Sequence, residues 1–306
     1  MNTSTKNIDI LENTLLRTGN LLDILLTDRT TKKNILWATD SYEKYGKEFS
    51  PKLRIKPALV TGKFGLLIQP RAVKSFEEQR RRTKDKAEVF TPLKTVNQIN
   101  KSVENRLINI NNWQEYIHEI KLEITCGEAP FIVSRYSPTL HTRKFIDLNK
   151  RVGFLDKKLK VVSKYCKVKK EWIFWAKEAF KASYGYDWQG DNVLIARENL
   201  LYTFIDYYKE KFKLQPTLKT KEELAEIISW NIFQMDGLKY VVPMSCHHET
   251  RVIPGEQTLF EKIPDRVEIN ECEGCKYNRP NKHNGMYVNI MDWSKNKIIR
   301  FADLIK

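Results

Sequence analysis

Strand-like runs and helical patterns take turns along most of this chain, and each run stops at a turn of small or acidic residues. A helix over Leu93 to Val103 precedes WQEYIHEIKLEITCGEAPF, whose apolar residues shift toward a short buried strand ending in a small-residue turn. Helical patterns follow to Ser183, and YGYDWQGDNVLIARENLLYTFIDYY then reads as a strand end, an acidic loop and a long amphipathic helix. LAEIISWNIFQMDGLKYVVP is a helix leading to another strand with an Asp at its carboxyl end. This alternation predicts βαβ units in an α/β fold, a mostly parallel sheet with helices on both faces. Ligands of such sheets bind outside the carboxyl ends of the strands, and all three polar turns fall there.

The chain has 306 residues, 41% hydrophobic and 11% aromatic, enough for a full-sized core, and 12 Gly with 11 Pro leave little room for a long linker. Wholesale disorder and a disulfide miniprotein are excluded. Ile10, Leu11, Leu15, Leu22, Leu25 and Leu26 recur near helical spacing and predict a helical N-terminal addition. The expected organisation is a mixed helical segment over 1–86, a ligand-binding core over 87–245 and 284–306, and a small insertion over 246–283.

The amino terminus lacks a basic start followed by an apolar core, and no stretch reaches the ~18 apolar residues of a membrane span. A cytoplasmic protein with no membrane partner is expected. Five cysteines, an odd number thinly spread, argue for reduced thiols or a metal site over a disulfide framework.

Lys and Arg number 53 against 38 Asp and Glu, a net charge of +15 that attracts polyanions and makes DNA the first partner to consider. The run Arg80, Arg81 and Arg82 lies in KSFEEQRRRTKDK, which has no apolar residue beyond Phe76. It reads either as a solvated helix or as a phosphate-contacting segment, with the three arginines as the DNA-binding candidates.

Four elements occur in order: Phe90-Thr91-Pro92, then Glu123-Ile124-Thr125-Cys126-Gly127-Glu128-Ala129-Pro130-Phe131, then Asp187 with Asp191, then Gln234-Met235-Asp236-Gly237-Leu238. Together they resemble the S-adenosylmethionine site of the amino-group DNA adenine-N6 methyltransferases, including proteins described as restriction-modification M subunits. The resemblance implies a Rossmann-like methyltransferase sheet and a cofactor held by Phe90, Thr91, Pro92, Glu123, Cys126, Gly127, Asp187 and Asp236. Phe90 to Pro92 would pack on the methionine end, Asp187 would accept from ribose hydroxyls, and Asp236 would meet the adenine ring. Asp191 is the alternative to Asp187, although its place before VLIARENLLYTF suits a helix cap. Ala129 stands where the family often has Gly.

The family's tetrapeptide of a polar residue, two prolines and an aromatic, which faces the flipped base, is missing. Tyr240 to Ser245 and Met286 to Trp293 are the two stretches that could replace it. The second is preferred, with Asp292 accepting from the target amino group and Trp293 stacking on the base. The resemblance therefore implies a DNA adenine methyltransferase or modification subunit, with a second subunit supplying target recognition or a nuclease. The alternative is an inactive cofactor-binding DNA-interaction subunit.

Cys272-Glu273-Gly274-Cys275, with Cys246-His247-His248 upstream and His283 downstream, offers the sulfur and imidazole ligands of a closed tetrahedral zinc site. Cys246, Cys272, Cys275 and His247 form the expected set, with His248 and His283 as alternatives for the imidazole. A zinc there would fold a loop too polar to fold on its own core.

Overall fold

The computed structural model describes residues 12–86, 88–89, 91–105, 112–137, 139, 145–255 and 264–305. Phe90 lies outside the described residues, as does part of the expected 246–283 insertion. The N-terminal part carries α1 (Glu12–Leu16), α2 (Leu21–Leu26), a minimal antiparallel pair of β1 (Thr27–Asp28) with β2 (Lys33–Asn34), and a series of short 3-10 turns. Leu21, Leu25 and Ile35 enter the same hydrophobic core as Leu194, Phe204 and Ile228, so this segment is built onto the body of the molecule.

Next come α3 (Phe76–Lys86), α4 (Leu93–Asn105), α5 (Trp113–His118) and β3 (Lys121–Glu123). The helices α6 (Phe154–Tyr165) and α7 (Lys169–Lys181) lead to β4 (Ser183–Asp187); α8 (Gly190–Phe212) and α9 (Leu218–Asn231) lead to β5 (Ile232–Gln234). The three strands pair in parallel in the order β3-β4-β5, with Glu123 opposite Gly185 and Asp187 opposite Gln234. β4 is buried along its whole length, as the central strand must be. α8 is buried nearly all round, so its apolar residues do not fall on one stripe.

The larger doubly wound sheet is not formed among the described residues, where the parallel sheet has three strands. Nor do helices cover both faces. The helical layer takes Ile232, while Tyr184, Tyr186 and Phe233 point the other way, into a cluster with Leu36, Val288, Ile290 and Phe301. The reason is that the chain after β5 pairs with itself. β6 (Glu249–Ile253) pairs antiparallel with β7 (Arg266–Asn270), the short α10 (Glu273–Tyr277) follows, and β8 (Asn289–Asp292) pairs antiparallel with β9 (Lys297–Arg300). Val241, in the YVVP run expected as a strand, makes only isolated bridges to Asp236 and Tyr287. Among the described residues, no helix is long and apolar enough to cross a membrane.

Candidate functional site

A cleft of about 800 Å³ opens at the carboxyl ends of β3 and β4. Thr91, Glu123, Cys126, Gly127 and Asp187 line it, so five residues spread over almost a hundred positions of sequence share one wall. Ile99 and Val103 of α4, Leu122 and Phe154 supply its apolar sides, and Glu88, Gln189 and Asn192 complete its polar floor. A volume of this order is that of a site burying a nucleoside-sized ligand.

The turn after β3 is held in an unusual backbone shape. Thr125, Gly127 and Ala129 have φ of 46°, 53° and 62°, all in the left-handed region that favours glycine. The shape is fixed from both strands: the Cys126 N–H donates to the Tyr186 carbonyl at 2.7 Å, and the Gly127 N–H donates to Asp187 Oδ2 at 2.9 Å. Glu123 accepts from the N–H groups of Phe131 and Ile132 at 3.2 and 3.0 Å, closing the other end of the loop.

Both acids are buried without a cation among these partners. Burial pushes Glu123 up to about 8, against the opposing effect of the two N–H donors, and pushes Asp187 up to about 6 despite its bonds from Gln189 and Gly127. Each retains accepting capacity, since a carboxylate accepts about four bonds while Glu123 receives two and Asp187 three, two from N–H groups and one at 3.4 Å from Asn192.

The floor continues into a buried ionic network. Arg82 donates to both oxygens of Glu88, at 2.9 and 2.7 Å, and to Asp191 Oδ2 at 2.8 Å; the Tyr42 hydroxyl donates to the same Asp191 oxygen at 2.7 Å. Burial alone would raise Asp191, but Arg82, Lys74 and the Tyr42 hydroxyl together more than offset it and the carboxyl sits below its ordinary value. Arg82 is thus an internal counter-ion and not a phosphate contact, a correction to its expected role, because its side chain points from α3 into the β4–α8 junction. Arg80 and Arg81 stay exposed, and Arg81 shares its surroundings with Asp40, Glu43 and Asp85, which makes a poor seat for an anion. Asp191 lies in the first turn of α8, as a helix-capping acid should.

The remaining expected site residues lie elsewhere. Pro92 immediately precedes α4, its carbonyl accepting from the N–H groups of Thr95 and Val96. Asp236 follows β5, which β4 separates from β3, and its carboxylate accepts from the N–H groups of Leu238 and Lys239. Asp292 and Trp293 are corrected more sharply. Trp293 donates its indole N–H to Asn231 Oδ1 at 2.7 Å, and Asn231 in turn donates to the carbonyls of Phe180, Lys181 and Ser183. Those groups lie at or just before the starts of β4 and β5, so Trp293 sits at the amino ends of the strands, opposite the cleft. Asp292 binds Ser294 within the β8–β9 turn.

A second site lies in the 246–283 lobe. Cys246, Cys272, Cys275 and His283 place their ligand atoms within 4.8 Å of one another, a set that could hold a metal ion. Each Sγ is 3.6 Å from His283 Nδ1. A tetrahedron with metal–sulfur bonds of ~2.3 Å and metal–nitrogen bonds of ~2.0–2.1 Å has sulfur–nitrogen edges of about that length. The imidazole is therefore that of His283 and not the expected His247, whose Nδ1 lies 3.4 Å from the Ser245 carbonyl. The cage also dictates its glycines: a Cβ on Gly274 would lie 2.6 Å from the His283 ring, and one on Gly285 would lie 2.9 Å from Cys246 Sγ.

Glu88, Gln189 and Asn192 carry no signal of their own in the sequence. The last two flank Asp187 and Asp191 in one motif, which was the available clue, whereas Glu88 joins the site from far upstream, through Arg82 and Asn192. Comparison of the chain with family models, curated proteins and solved structures finds no match.

Proposed function

We propose that the cleft binds S-adenosylmethionine and that the chain is the cofactor-binding component of a DNA adenine methyltransferase, its three-stranded core corresponding to part of a Rossmann-like sheet. The observation that carries this reading is the meeting of Thr91, Glu123, Cys126, Gly127 and Asp187 around one cleft. Their chemistry suits the ligand. Buried Glu123 and Asp187 would ionise more readily beside a sulfonium cation, Asp187 has lone pairs for ribose hydroxyls, and Ile99, Val103 and Phe154 offer an apolar wall for a purine. The cofactor would supply an electrophilic methyl group, and the chain's part is to bind and orient it.

A second reading, a cofactor-binding DNA-interaction subunit without turnover, is favoured by the position of Asp292 and Trp293 away from the cleft. Transfer of labelled methyl groups to DNA separates the two. On the first reading, label is incorporated and survives Asp292→Ala; on the second, cofactor binds and no label moves. In the lobe, the four ligands suit a structural zinc: a closed set with no open position, whose bound ion would hold together a segment with little core of its own.

A further inference from the structure

The junction of α6 and α7, the end of one helix, the turn and the start of the next, carries Lys164, Lys167, Lys169 and Lys170, all exposed, within seven residues. Glu178 is taken by Lys181 and Glu223 by Lys177; Glu171, next to Lys170, is the one acid within the cluster, and among the described residues no carboxylate lies in ion-pair contact with any of the four lysines, so the cluster keeps a net positive charge. Beside them runs a connected aromatic surface. Tyr165 lies parallel to Trp113 with centroids 5.2 Å apart, Trp113 meets Trp175 edge-on at 4.8 Å, and Trp175 meets Phe174 at 5.3 Å. Tyr165 and Phe174 are 48% and 55% exposed, much more than large rings in a packed core.

We infer that this surface binds single-stranded nucleic acid. Four unpaired ammonium groups match the spacing-tolerant charge of a phosphate backbone, and exposed rings stack on unpaired bases of any sequence. Tyr165 already stacks on Trp113 and carries the Lys164 ammonium 5.2 Å from its ring centre, so Phe174 is the ring left for a base; base pairing would hide the base face it could stack on, which is why an unpaired strand fits better than a duplex. The site is independent of the methyl-transfer reading. Lys158 of α6 donates to the Ala182 carbonyl just before β4, and Tyr165 lies about two turns further along α6, so the patch sits beyond the amino ends of the strands and away from the cleft.

The test is titration of the full chain with oligo-dT, followed by tryptophan fluorescence and by anisotropy of a labelled strand. Binding should quench the fluorescence, weaken with salt, and compete poorly with duplex DNA of the same length. The triple variant Lys167→Glu, Lys169→Glu, Lys170→Glu should lose at least about ten-fold in affinity and flatten the salt dependence by roughly 0.7 log units per log unit of salt for each phosphate no longer neutralised. Phe174→Ala should lose roughly ten-fold with the salt slope unchanged. Circular dichroism checks that both variants fold, and Arg80→Ala with Arg81→Ala should bind as the parent does. Equal affinity for parent and triple variant, or tighter binding of duplex than of single strand, would overturn the assignment. So would a concentration-dependent dimer that Phe174→Ala dissociates, which would make the patch an interface between copies.

Discussion

The Gly127 N–H donates to Asp187 Oδ2, tying the left-handed turn after β3 to the carboxyl end of β4. That one bond joins two halves of the cleft that are 60 residues apart. Replacing Gly127 by Ala keeps the N–H but adds a Cβ where φ is 53°, which costs on the order of 1–2 kcal/mol. Urea denaturation should show that loss, and Thr125→Gly, which relieves the same strain at an exposed position, should shift stability the opposite way.

Stability should also depend on pH in a way set by the buried acids. Burial raises the folded-state values of Glu123 to about 8, Glu128 to about 7 and Asp187 to about 6. The folded chain therefore holds protons that the unfolded chain releases from about pH 4 upward, and stability falls with rising pH until the last of these groups has ionised in the folded chain too, near pH 8. Asp191, held low by Arg82, works in the opposite sense and costs stability only toward strong acid. Thermal melts should fall between pH 5 and pH 8 by an amount on the order of a few kcal/mol, and Glu123→Gln should flatten the upper part of the curve.

Arg82→Ala should be far more damaging than its neighbours. It would leave Asp191 buried without its direct ion-pair partner and Glu88 with only the longer 3.5 Å contact from Arg71, at a cost of about 3–5 kcal/mol. Arg80→Ala and Arg81→Ala, at exposed positions, should stay within about 0.5 kcal/mol of the parent by the same denaturation measurement.

This contrast marks where the sequence could be read and where it could not. Helices and parallel strands were legible because their periods are local, and Glu123, Cys126, Gly127 and Asp187 were legible because each sits at a strand end. Three adjacent arginines look alike in a sequence; only the buried acids Glu88 and Asp191, brought to it by the fold, distinguish Arg82. Trp293 resembled a stacking residue, yet its partner Asn231 lies 62 residues away and sits at the wrong end of the sheet. His247 adjoins Cys246 in sequence, yet its Nδ1 lies beside the Ser245 carbonyl, while His283 returns to the cage after α10.

Metal analysis should find one zinc per chain. Cys272→Ser and His283→Ala should lose it, and His247→Ala should keep it, as read by elemental analysis after dialysis. Retention of metal in the His283 variant and its loss in the His247 variant would reverse the ligand assignment.

Isothermal calorimetry with S-adenosylmethionine addresses the cleft most directly. Saturable one-site heat with a dissociation constant on the order of micromolar, weakened at least about ten-fold by Asp187→Ala in protein that still folds, is the expected result. Folded parent protein that gives no saturable heat with millimolar ligand would contradict the assignment of the cleft to a sulfonium nucleoside.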